Sequence, residues 1–137
     1  MEIKKLIDII DNNIGQLKYL LREKSKFLAD PQRMNQARYL YPTLIDNLTK
    51  IACHIQDLED WRPPINPADI FILMADNEII HHHIVPDLKR AIRLSNRITE
   101  VSKEDFFEGV RGILKAVGMC NDAFKVYFQL RELDKLT

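Results

Sequence analysis

The chain is short of cysteine, of glycine and of long apolar runs, and each shortage removes a class of protein. Its two cysteines, Cys53 and Cys120, make neither a disulfide framework nor a CxxC metal knuckle. Glycine occurs four times in 137 residues, and three of those (Gly109, Gly112 and Gly118) crowd one segment. No stretch alternates apolar and polar residues for long enough to suggest a strand. The longest unbroken apolar run, Ile70 to Ala75, is six residues, where a membrane span needs about 20. Acids and lysines interrupt the first eight residues, where a secretory leader would need an apolar stretch, so the cytosol is the expected location. Neither sign of charge is in excess, with 20 Lys+Arg against 20 Asp+Glu, and such a chain has no bulk attraction for nucleic acid. Hydrophobic residues make up 46%, which excludes disorder as the main state. The length suits one domain that buries its own core.

What is present is helical periodicity. Ile3, Ile7, Ile10, Ile14, Leu17, Leu21 and Leu28 recur at spacings of four and three, interrupted only at Lys24. Leu6, Leu20 and Phe27 widen that stripe, so a helix is expected over 2–29. Asp30-Pro31 reads as a cap followed by a first-turn proline. A second helix follows to Trp61, with the line Met34, Ala37, Tyr41, Leu44, Leu48, Ile51, Ile55 and Leu58. Pro42 falls inside it and predicts a kink or break. Arg62-Pro63-Pro64-Ile65-Asn66-Pro67 is the only linker-like stretch. A third helix is expected over 67–100 with Pro86 inside it. A fourth is expected from Ser102, a serine cap, to about residue 135, its stripe Phe106, Val110, Ile113, Val117, Cys120, Phe124 and Tyr127 crossing Gly118 without a slip. These helices predict an all-α, antiparallel four-helix bundle of up-down-up-down topology, kinked near Pro42 and Pro86. It would be one domain: a hairpin over 1–61, a Pro-rich linker over 62–67 and a hairpin over 67–137.

Three features could carry function. The first is His81-His82-His83. Neighbouring helical residues point about 100° apart, so three consecutive histidines cannot share one metal. Glu78 and His81 have the E-x-x-H spacing that shares a helix face, and His54 could complete a zinc set with them; against that stands a histidine cluster facing solvent or a partner. The second is a basic run, Lys89, Arg90, Arg93 and Arg97, without an acid between Leu88 and Thr99. Arg90, Arg93 and Arg97 share a face that could follow phosphates or an acidic partner. Lys18, Arg22, Lys24 and Lys26 are expected at the same end of the bundle, while Glu104, Asp105 and Glu108 could absorb the charge. The third is Ile70 to Met74, five apolar residues spread round a whole helix turn. One bundle face cannot hide them all, so Ile70, Phe71 and Ile72 are expected in a contact with a partner protein or a second copy, with Ile72 pointing outward.

Catalytic signatures are missing. There is no G-x-S-x-G, no phosphate-binding glycine loop and no H-E-x-x-H. Cys53 and His54 are adjacent and would point apart on a helix, wrong for a nucleophile and its base. The expected function is a non-catalytic interaction module, with no cofactor. A metal-binding bundle and a nucleic-acid accessory protein are the alternatives.

Overall fold

The computed structural model describes residues 2–136. The protein is all-α, and among the described residues there is no strand. The helices are α1 (Ile3–Leu20), α2 (Lys24–Ala29), α3 (Pro31–Glu59), α4 (Asp69–Asp76), α5 (Val85–Asn96) and α6 (Lys103–Leu136), with a 3-10 turn at His82–Ile84. The four long helices expected from periodicity are therefore six among the described residues. No helix among the described residues is long and apolar enough to cross a membrane.

The periodic stripes find the core. Ile7, Ile10, Ile14, Leu17 and Leu21 are buried, as are Met34, Ala37, Tyr41, Leu44, Leu48, Ile51 and Ile55 from α3. Phe106, Val110, Ile113, Val117, Cys120 and Phe124 of α6 join them in a single cluster. Helix α1 packs on α3 and α6, and α5 packs on α6 and α3. Three local signals behave as read. Asp30 accepts from the Gln32 N–H at 2.9 Å with Pro31 in the first turn. Ser102 Oγ accepts from the Asp105 N–H at 3.1 Å. Gly118 leaves α6 unbroken. Pro42 does not break α3 either, which runs through it from Pro31 to Glu59. The Tyr41 hydroxyl, just before it, donates to the Ala91 carbonyl of α5 at 2.7 Å.

The helix expected over 2–29 stops at Leu20 and restarts at Lys24. The break falls where the apolar stripe lapses, at Arg22-Glu23-Lys24. It lets α2 turn Phe27 fully inward against Phe106 and Phe107, with ring centroids 6.2 and 5.5 Å away.

The helix expected over 67–100 is interrupted more deeply. Helix α4 ends after two turns because Glu78 adopts a left-handed conformation, φ 64°. The Glu78 N–H then donates to the Ala75 carbonyl and the Ile79 N–H to the Met74 carbonyl, the paired bonds of a Schellman closure. Asn77 adds its side-chain amide to the Leu73 carbonyl at 2.8 Å. Pro86 is not an interior kink. It lies in the first turn of α5, where a missing N–H costs nothing. Helix α4 is enclosed by α3, α5 and the 3-10 turn. Ile70, Phe71, Leu73, Met74 and Ala75 are all buried there. The contact expected of Ile70 and Phe71 is thus made inside the chain, and only Ile72 stays partly open.

Candidate functional site

The site is built on the outer face of α5. Helix α5 buries Val85, Leu88, Ala91 and Ile92 and turns Arg90, Arg93 and Arg97 to solvent. All three arginines line one groove of about 440 Å³ between α5 and α6, so the face read from their spacing exists. Its floor is apolar, with Leu94, Val101 and Ile113. Gly109 and Gly112 of α6 form the opposite wall, and they do different work. A Cβ on Gly109 would stand 3.0 Å from Leu94 Cδ2, so the missing side chain lets α5 and α6 approach. A Cβ on Gly112 would meet nothing within 4 Å.

The acids near the groove are engaged elsewhere or locally. Glu108 pairs with Lys24 at 2.8 Å rather than with an arginine of α5. Lys24 holds its carboxyl below the ordinary value. That contact places Lys24 beside the groove that the arginines line. Arg90 pairs with Asp87 one turn back, and Arg97 with Glu100 at 3.3 Å. Arg93 makes no ion pair among the described residues. The loop closing the groove is pinned from α3, where Arg38 donates to the Val101 carbonyl at 2.8 Å and lies over the Phe106 ring.

Arg93 and Arg97 also border a second depression of about 410 Å³ on the other side of α5, where apolar Ile65, Ile72 and Ile92 line it alongside polar Asp69, Lys89 and Asn96. Ile72 is therefore not an isolated outward residue but part of the same surface as the arginines. Ile65 is 82% exposed, on a loop that is firmly held. Asp69, 6% exposed, accepts a two-pronged contact from Arg62 at 2.6 and 3.2 Å and the Ile65 N–H at 2.9 Å. The Arg62 guanidinium and that backbone N–H hold the Asp69 carboxyl below the ordinary value. Ile65 was missed in the sequence. The available signal was an apolar residue alone between prolines, and Arg62 as the single base in an acidic stretch.

No protein-family model matches the chain, and no curated protein is a significant match.

The residues considered for a metal are dispersed among different local structures. Glu78 is the left-handed residue that ends α4, and His81 is extended, so the E-x-x-H pair has no helix on which to share a face. His54 lies on α3, stacked against Phe128 with centroids 6.3 Å apart. His82 contacts Asp76 at 3.0 Å, and the His81 and His83 rings lie 5.4 Å apart. Among the described residues, no three His, Cys, Asp or Glu side chains are grouped to hold a metal ion. Burial, then Asp57, raises the Cys53 thiol pKa, which disfavours the thiolate a nucleophile would need.

Proposed function

We propose that the chain is a non-catalytic protein-interaction module and that it engages its partner through the outer face of α5. The observation that carries this is the placement of Arg93 and Arg97 as a ridge between two depressions, one with an apolar floor and one of mixed lining, beside Ile65 on a pinned loop. Arginine is among the residues that contribute most at protein interfaces, and an exposed apolar side chain such as Ile65 gains from being covered. A rigid loop loses little entropy when its side chain is captured. The frame behind this face is read as an up-down arrangement of α1, α3, α5 and α6.

Asp87, Glu100 and Glu108 lie among the arginines, and their charge weighs against a polyphosphate backbone on the same face.

The test is chemical crosslinking of the tagged protein in its native cells, comparing the parent with the double variant Arg93→Glu/Arg97→Glu. Both residues are exposed, so the variant is expected to melt like the parent. The parent should recover a discrete partner that the variant loses. The same partner recovered in equal yield by both would sink the assignment of this face.

A further inference from the structure

We infer that the chain self-associates weakly through the outer surfaces of α1 and α3, face to face with a second copy turned end for end. This surface is distinct from the outer face of α5 and does not depend on the partner reading above.

Two stripes of solvent-facing residues form it. On α1 and just beyond, Asp8, Asn12, Gly15, Tyr19 and Arg22 recur at spacings of four and three, and all are exposed. On α3, Gln32, Gln36, Tyr39, Thr43 and Asp46 do the same. Arg22 and Arg33 both lie over the Tyr19 ring, 5.3 and 5.9 Å from its centroid, which joins the stripes at a basic end. Helices α1 and α3 pack antiparallel, so Asp8 and Asp46 fall at the opposite end. Between those ends no side chain on either stripe is charged, in a chain that is 29% charged. The charges nearby turn elsewhere. Asp11 meets Lys125 of α6 at 2.7 Å, Lys18 shares that side of α1, and Arg38 reaches the Val101 carbonyl. Tyr19 and Tyr39 are 58% and 76% exposed. A surface poor in charge that displays tyrosines has the composition of an interface.

Charge at the two ends specifies the occupant. A surface positive at one end and negative at the other complements itself when a second copy is turned end for end. Arg22 then faces Asp8 of the second copy about a midpoint at Gly15, and Arg33 faces Asp46 of the second copy about a midpoint beside Tyr39. The contact of Arg33 with Tyr19 sets the register of the two helices. In that register Gly15 and Tyr39 are level to within about one helical turn, so both pairings share one two-fold axis. Arg22, Asp8 and Asp46 make no ion pair among the described residues, and Arg33 meets only Asp30, at 3.4 Å. Lys5 and Lys50 lie a turn beyond the acids, outside the region that the two arginines cover. The surface is about 25 Å long and two helices wide, roughly 500 Å² per copy. A total near 1,000 Å² is at the low end for a specific contact, which sets the expectation of a weak dimer, with a Kd of about 100 μM.

Sedimentation equilibrium of the full chain, up to about 1 mM, tests this. The parent should show a reversible monomer–dimer equilibrium. Arg22→Glu and Asp8→Arg, each alone, place like charges opposite one another twice per dimer and should weaken it about ten-fold or more. The double variant Asp8→Arg/Arg22→Glu rebuilds both pairs with their signs exchanged and should return to within about three-fold of the parent. Within one copy the two positions are about 20 Å apart, too far to rebuild a pair, so recovery identifies a contact between copies. Tyr39→Glu sets two carboxylates beside the axis and should abolish the dimer. All three positions are exposed, so these variants are expected to melt like the parent. A parent that stays monomeric throughout, single reversals that change nothing, or a double variant that does not recover would each overturn the inference. So would a dimer lost in Arg93→Glu/Arg97→Glu, which would place the self-contact on α5. The partner sought by crosslinking depends on Arg93 and Arg97 alone, so the two readings fail separately.

Discussion

Gly109→Ala and Gly112→Ala form a matched pair, the same substitution three residues apart on one helix, and the structure predicts different outcomes. In an exposed helix interior, alanine in place of glycine stabilises by about 1 kcal/mol. At Gly112 nothing within 4 Å opposes the added methyl, so the whole gain should appear. At Gly109 the methyl would arrive 3.0 Å from Leu94 Cδ2. Leu94 is half-buried at the edge of the groove, so its end can move, but pushing it off its rotamer costs about 0.5–1.5 kcal/mol. The helix gain at Gly109 is then cancelled, and the two variants should differ by about 1 kcal/mol. For a domain of this size that is a difference of roughly 3–5 °C in melting temperature. Urea denaturation followed by circular dichroism, with thermal melts in parallel, resolves such a gap. Equal stabilisation by both alanines would mean that α5 does not press on α6 at Gly109. A destabilised Gly112→Ala would mean that Gly112 is packed rather than open.

Three further outcomes are expected. Glu78→Gly should raise stability by about 1 kcal/mol, because glycine adopts the left-handed conformation without a Cβ penalty; a loss in urea denaturation would show that the Glu78 side chain matters more than its backbone. Phe27→Ala should cost about 3–5 kcal/mol, since that ring is the fully buried side chain of α2, and a loss under about 1 kcal/mol would show that α2 is not held there. Asp69→Asn should destabilise at neutral pH and free the loop carrying Ile65. Because the Asp69 carboxyl pKa is depressed in the folded state, its contribution is present above the unfolded value, near pH 4, and is lost as pH falls through the folded value. The gap between parent and Asn variant should therefore close below about pH 4, and a gap independent of pH would disprove the role of the ionised carboxyl.

The sequence by itself determined which residues make the core and where several helices begin. The stripes of α1, α3 and α6 are buried along most of their length, because a side chain's angular position follows from backbone periodicity once the helix forms; they fail towards helix ends, where Leu58 is exposed and Ile3 and Tyr127 are only partly buried. Asp30-Pro31 and Ser102 act as caps through contacts only a few residues long, so they too are legible. The shared face of Arg90, Arg93 and Arg97 was legible for the same reason. Tertiary structure decided where helices stop for the sake of packing. The lapse at Lys24 becomes a break only because Phe106 and Phe107 offer Phe27 a place. The end of α4 at Glu78 uses a left-handed glutamate rather than a glycine, so no local residue announced it. That one turn separates Glu78 and His81 from a common face and folds α4 under α3 and α5. Apolar residues all round α4 thus belong mostly to an enclosed segment, with Ile72 the one left partly open. The groove, too, is a tertiary object. Leu94 and Val101 carry no sequence signal that they border one groove with Ile113 and Gly112, and α5 comes close to α6 where Leu94 takes the space beside Gly109. Periodicity fixes directions within a helix, whereas the distance between helices depends on side chains far apart in the chain.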